Sequence, residues 1–409
     1  MRTTLATIAF LCLVGFLCIV GPVLLDRAAV GPVRLDGPGV QAQTARHGEV
    51  TVTNPTSDAR PSETITLSAA DLQRVLGASN LQLVHVRDDR NADLLTQAVD
   101  VNDDGTFDEL IFQADLKPSE MRRFTLETGE RRIPKKEEFR AYGRFVRERR
   151  DDFAWENDLV AHRMYGAALE TWAQEPLTSS GLDVWVKRTP RLIVNEWYMV
   201  DDYHRNNGEG ADLYSAGRTR GCGGNGLWRD GKLYSSINFR QTRSLANGPI
   251  RVMFELMYEP WDAGGTSVRE TKRVTLDAGH HLNRFELSFT PMPAPGTSLG
   301  LGIKNNKGST SHVNREAGVL STWEPLQTEG FLGCAVIAAP GTSTDAPTAD
   351  GNYMLLAKMP TQGPAVYYAG SAWDKAGEIS TAAAWDAYLA REAARLRTPV
   401  TVRVDPAGR

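Results

Sequence analysis

Residues 181–188 read Gly-Leu-Asp-Val-Trp-Val-Lys-Arg. Side chains alternate along a strand, so Asp183, Trp185 and Lys187 share one face and Leu182, Val184 and Val186 the other. An apolar face backing a face of acid, tryptophan and lysine fits a strand between a sandwich core and a polar cleft. The reading of the rest of the chain follows from this strand.

The stretch around it, Asp151 to Gly226, crowds Trp, His, Tyr, Arg and acidic residues together with many glycines. Such a mixture suits a wall that binds sugars, where aromatic faces cover apolar patches and charged groups fix orientation. Upstream, Trp155 and Glu156 precede His162 and Arg163. Adjacent residues on a strand point oppositely, so at most one of His162 and Arg163 enters any cleft. Downstream, Tyr203 and His204 lead into Gly208-Glu209-Gly210-Ala211-Asp212, a loop whose glycines let backbone approach a ligand. His204, Glu209 and Asp212 have the chemistry of metal ligands or of an acid and a base, but their spacing matches no strong metal motif. Arg218 to Gly226 resembles a phosphate loop only in its glycines. It lacks the Gly-Lys-Ser/Thr ending and a following helical pattern, which excludes a nucleotide reading.

Outward from this segment, short alternating runs recur: VTVTNP from Val50, SETITLS from Ser62, LQLVHVRDD, FDELIFQADL and EMRRFTLETG. Later come IRVMFELMYEPW, TSVRETKRVTLDAG, HLNRFELSFTP, GFLGCAVIAAPG, YMLLAKMP and PAVYYAGSAW. Only the tail from Ser380 to Arg397 carries helical spacing, although Ser68 is a plausible cap for one short helix. The fold class is therefore mainly β, a large antiparallel β-sandwich with a C-terminal helix. The run ERRIPKKEE, 130–138, marks a boundary between an N-terminal β-sandwich portion (47–130) and a main β-sandwich (139–403). In YGRFVRER the alternation puts arginines on one face of a strand, as a carboxylate-holding face or a charged edge. His280 and His281 sit at a turn and read as solvated.

The 409-residue chain has a formal net charge of -4 with mixed signs, which argues against a nucleic-acid-binding surface. An apolar run from Leu5 to Leu25 is long for a signal peptide and just long enough to span a bilayer. Residues 1–25 thus direct export, to the periplasm or outside the cell, either as a cleaved signal or as a membrane tether; 26–46 is a linker. Cys222 and Cys334, the two cysteines beyond that run, are either bridged or two buried thiols. Asp100-Val-Asn-Asp-Asp-Gly105 matches the start of a calcium loop, but position twelve is Ile111 rather than an acid. The same residues make a good hairpin turn. No stretch implies a protein partner.

Several phrases together, DVNDDGTFDELIFQ, DDFAWENDLVAHRMYGAALE, SSGLDVWVKR and YHRNNGEGADLY with GRTRGCGG, resemble the bacterial domain-of-unknown-function family 4861. The likeness runs from about Glu49 to the C-terminal helix. It implies a secreted protein associated with polysaccharide degradation, and a carbohydrate ligand bearing uronate. The family's usual glycine loop has His where this chain has Asn207, which weakens a metal reading of the loop. At the level of fold the pattern also resembles the galactose mutarotase-like supersandwich shared with several polysaccharide lyases. That resemblance implies acid–base roles for His162, His204, Glu156, Glu209 and Tyr203. Arg163, Lys187 and Arg220 would then hold a carboxylate, with Trp155, Trp185 and Asp212 completing the ligand wall. Three functions follow as alternatives: a glycan-cleaving lyase or hydrolase, a non-catalytic glycan-binding envelope protein stacking sugars on Trp155, Trp185 and Trp197, or a sugar mutarotase or epimerase.

Overall fold

The computed structural model describes residues 46–173, 177–200, 203–377 and 379–407; residues 1–25, expected to direct export, lie outside them. The chain is mainly β, and every strand pair within its sheets is antiparallel. The largest sheet runs in the order Gln241–Asn247, Arg251–Met257, Ser267–Asp277, Leu282–Thr290, Ala365–Trp373, Phe331–Ala338, Val319–Pro325 and Thr310–Asn314. A second sheet is centred on Cys222–Arg229, Ser298–Lys304 and Asn352–Lys358. A third has five strands, Gly210–Ala211, Asp183–Lys187, Ala161–Met164, Asp152–Asn157 and Ala141–Val146.

Alternation explains why these sheets stack. Val184 and Val186 of the five-stranded sheet meet Leu227 and Leu301 of the second, and Phe254, Val274 and Val336 of the largest, in one buried core. Apolar burial at roughly 25 cal/mol per Å2 makes that core the main source of stability. A disulfide between Cys222 and Cys334 links the second sheet to the largest. The C-terminal helix Ala382–Arg397 is capped by the Thr381 hydroxyl, which accepts from the Ala384 N–H at 3.1 Å. Its Trp385, Leu389 and Ala393, four residues apart, pack with Ala335 and Ile337 on the outer face of the largest sheet.

Residues 47–128 build a four-stranded and a three-stranded sheet around their own core of Val50, Ile65, Leu72, Phe112 and Phe124. The last strand, Thr401–Pro406, completes the four-stranded sheet beside His47–Thr53, with Val404 opposite Val50.

Two local expectations are corrected, and a third region follows the hairpin alternative. The arginine-bearing strand stops at Val146, and residues 147–149 form a 3-10 turn ending at Arg150 with φ 56°, so Arg147 leaves the strand face. His280 and His281 are not simply solvated: a ring nitrogen of each donates to backbone carbonyl, Ser62 O at 2.9 Å and Ser371 O at 2.9 Å. The Asp100 stretch is a hairpin turn between Thr96–Val99 and Glu109–Leu116. The Asp100 carboxylate accepts from the Asp103 and Gly105 N–H groups, at 2.7 and 2.8 Å.

Candidate functional site

The five-stranded sheet sorts the expected residues by face. Arg163 lies opposite Asp183 on one side and Ala154 on the other. Asp152, Glu156, Arg163, Asp183, Trp185 and Lys187 therefore project together, and Trp155 and His162 project the other way.

Arg163 is the centre of the polar face. Its guanidinium reaches Asp183 at 2.8 Å, Asp212 at 2.9 Å and Asp152 at 3.5 Å, at 2% side-chain exposure. Burial opposes its charge, but the three carboxylates outweigh burial and hold it protonated above its ordinary range. Tyr165 donates to Asp183 at 2.7 Å and Tyr198 to Asp152 at 3.3 Å. This network fastens Asp212, and with it the glycine loop, to the sheet. Gly210 completes the fastening: a Cβ there would lie 2.0 Å from Val186 O, at a φ of 136°.

Beside it, Lys187 Nζ meets Glu156 Oε2 at 2.8 Å and the carbonyls of Asn157 and Arg191 at 2.8 and 2.7 Å. Glu156 Oε1 accepts from the Val194 N–H at 2.7 Å. The short helix Val194–Tyr198 lies over this pair. It stacks Trp197 and Tyr198 on Trp185, with ring centroids at 5.6 and 4.7 Å, and Tyr203 joins at 5.2 Å. Trp185 is thus enclosed by protein rings rather than open to a sugar.

On the opposite face, Trp155 donates to Asn283 Oδ1 at 2.6 Å and His162 packs 5.6 Å away. Burial drives the His162 pKa down to about 3, so the ring is neutral in the core. Arg220 sits elsewhere, donating to Ser180 Oγ at 3.0 Å, Asn225 O at 3.2 Å and Ser179 Oγ at 3.3 Å. Arg163, Lys187 and Arg220, the expected carboxylate holders, are all buried and bonded internally.

His204 is the expected residue that faces solvent, at 51% side-chain exposure. Its Nδ1 lies 3.1 Å from Asp212 O and 3.4 Å from Asp212 Oδ2. Both partners are acceptors, so Nδ1 carries a hydrogen, and in the neutral ring the lone pair lies on Nε2. Among the described residues nothing bonds to Nε2. Tyr203 packs on the imidazole at 4.4 Å, and its hydroxyl accepts from Arg149 Nε. Arg149 and Arg150 both stand over the Trp172 ring, at 4.4 and 5.3 Å. Glu209 is held at the rim by Arg191, at 3.0 and 2.9 Å.

Arg149, Trp172 and Tyr198 are not picked out individually by the sequence, whereas Tyr165 stands beside His162 and Arg163 in AHRMYG. The arginine run at 144–150 was the available signal for Arg149; the others are placed by contacts distant in sequence. A cavity of about 350 Å3 opens elsewhere, between the C-terminal helix and the largest sheet. Its Arg251 and Arg395 are already paired, with Asp277 at 2.6 Å and Glu392 at 2.8 Å. Among the described residues no three His, Cys, Asp or Glu side chains converge as a metal-holding group.

A family model described as "Domain of unknown function (DUF4861)" matches residues 52–402. The chain belongs to the DUF4861 family. This DUF4861 chain is 33% identical over 380 residues to "Uncharacterized protein P7" of Formosa agariphila, covering 88% of the chain and 94% of that protein. Among solved structures, it is similar to an α-mannosidase from Enterococcus faecalis V583, with a TM-score of 0.50 at 10% identity. A protein in glycosyl hydrolase family 38 from Enterococcus faecalis gives the same TM-score and identity. Each match covers 88% of the DUF4861 chain but only 46% and 48% of the solved chains, so the chain spans about half their length. At this identity the likeness is one of fold.

Proposed function

We propose that this DUF4861 protein is an exported carbohydrate-active enzyme that cleaves uronate-containing oligo- or polysaccharides by β-elimination. One observation carries the reading: the half-exposed His204, with Nδ1 turned to Asp212 and the basic Nε2 directed away from it. In this scheme Nε2 takes the ring proton next to the uronate carboxylate. The electron pair forms a carbon–carbon double bond as the bond to the leaving sugar oxygen breaks. Arg150, exposed over Trp172, is the cation offered to the substrate carboxylate, where neutralisation stabilises the developing enolate. Tyr203, against His204, orients the imidazole.

Hydrolysis is less favoured, because a pair of free carboxyl groups is needed and Glu156 and Glu209 are both engaged by cations. The similarity to glycosidase-related folds and the family's polysaccharide association support a sugar ligand. The apolar run from Leu5 to Leu25 and the disulfide support export. Purified protein incubated with uronate-rich oligosaccharides, with and without calcium, tests the reading. Elimination gives products that absorb in the ultraviolet and whose summed mass shows no added water. Products one water heavier would replace elimination by hydrolysis, and intact glycan throughout would sink the cleavage reading.

A further inference from the structure

The outer face of the largest sheet is covered on two flanks by different parts of the chain. On one flank, Val99 and Ile111 of the N-terminal portion pack on Ile250 and Met253. On the other, the C-terminal helix sets Trp385 and Leu389 on Ala335 and Ile337. Between them run the strands Ser267–Asp277, Leu282–Thr290 and Ala365–Trp373. Thr275 pairs with Arg284, and Arg284 with Tyr368, so these residues stand in one row across the three strands. Partners placed opposite one another carry Cβ atoms roughly 5 Å apart, within reach of a single ligand. Asn283 and Phe285, which flank Arg284 in sequence, are buried in the core, so the row points outward.

This row lines the cavity of about 350 Å3. The end of the C-terminal helix and the strand Arg60–Ser68 also line it, and ties between the elements hold them in place. Arg395 bonds Glu392 at 2.8 Å on its own helix and also reaches Glu63 of the N-terminal portion. His280 Nε2 donates to Ser62 O at 2.9 Å, and Gln113 Nε2 to Ala278 O at 2.8 Å. Arg251 holds Asp277 at 2.6 Å. A void kept open by such ties is a preformed pocket. Its size lies within the roughly 300–1,000 Å3 usual for small-molecule sites, which favour junctions of this kind.

The lining decides the class of ligand. Three guanidiniums, of Arg251, Arg284 and Arg395, are matched by three carboxylates, of Glu63, Asp277 and Glu392, so formal charge cancels. An anion would meet the carboxylates and a cation the guanidiniums, whereas a neutral guest disturbs neither set. Paired guanidiniums still have N–H groups to give, and paired carboxylates lone pairs to offer, to a group that both donates and accepts, such as a hydroxyl. Arg284 is the most exposed of the three cations, at 40%, with Glu286 as its ion-pair partner. Among the described residues the hydroxyls of Thr275 and Tyr368 have no hydrogen bond to protein. Leu282, Leu396 and the Tyr368 ring add apolar surface. This combination receives a ring with hydroxyls on its edge and C–H groups on its face. We propose that the cavity is a binding site for a neutral sugar of one or two rings. None of its lining residues takes part in the His204 site, so the proposal does not depend on the cleavage reading.

Titration calorimetry of the full chain tests the site with glucose, galactose, mannose and xylose, their disaccharides, and glucuronate and galacturonate as charged counterparts. At least one neutral sugar is expected to bind about 10-fold more tightly than either uronate, with little change between low and high salt. Arg284→Ala should weaken that binding about 10-fold, and Tyr368→Phe, which removes only a hydroxyl, about 5-fold. His204→Ala should leave it unchanged; a loss there instead would put the sugar at the His204 site and overturn a separate one. Silence toward every neutral sugar overturns the proposal, as does binding of a uronate as tight as that of the best neutral sugar. Affinity unmoved by both Arg284→Ala and Tyr368→Phe would place the sugar elsewhere. If Arg284→Ala does not fold, the near-isosteric Tyr368→Phe decides: weaker binding supports the site, and wild-type affinity overturns it.

Discussion

Lys187 Nζ stands 2.8 Å from Glu156 Oε2, and neither side chain is exposed to water. Breaking such a pair leaves one charge buried alone, whereas replacing both partners by apolar groups of similar size is often tolerated. Lys187→Met should therefore cost about 3–5 kcal/mol in urea unfolding, and Glu156→Leu combined with Lys187→Met should recover most of it. A double variant no more stable than the single one would show that the pair is needed for more than charge balance.

His204→Ala should lower kcat by about 10²–10⁴-fold with little change in melting temperature, because the side chain is half exposed and its loss removes only the base. Asp212→Asn keeps the backbone carbonyl that meets Nδ1 but removes a charge from Arg163. It should lower both kcat and stability. Kinetics on the uronate oligosaccharide and thermal melts of both variants check this pair of outcomes.

His162 makes acid stability measurable. Its pKa is lowered from 6.5 to about 3 by burial, so the unfolded chain binds a proton that the folded chain excludes between those values. The contribution is fully present above about pH 6.5 and is lost as pH falls toward 3. Its slope reaches at most about 1.4 kcal/mol per pH unit. His162→Gln should flatten the unfolding free energy over this window; an unchanged slope would place the titration elsewhere.

Cys222 and Cys334 close a loop with a sequence separation of 112 residues, and cross-links of that length restrict the unfolded chain strongly. The Cys222→Ser, Cys334→Ser double variant should lose about 2–4 kcal/mol, and the reduced wild type should match it in chemical denaturation.

The sandwich and the faces of its site strand were legible because both rest on local alternation. Asp183, Trp185 and Lys187 do share a face, as residues 181–188 indicate. What that face meets was not legible. The helix Val194–Tyr198 covers it, and nothing in the local pattern of VNEWY shows that Trp197 will stack on Trp185. Charged residues expected at a cleft became struts for the same reason: Glu156 and Lys187 lie 31 residues apart and only the fold pairs them. His204 could be picked out because glycines around it announce a loop.

Val404 lies opposite Val50, with about 350 residues of chain between them. During synthesis the first sheet must wait, one edge unpaired, until nearly all the rest has been made. Contacts of such span close slowly. The N-terminal sheet is thus sealed only once residues 401–406 have been made, and a chain interrupted before residue 401 would present His47–Thr53 as a bare strand edge open to association with other chains.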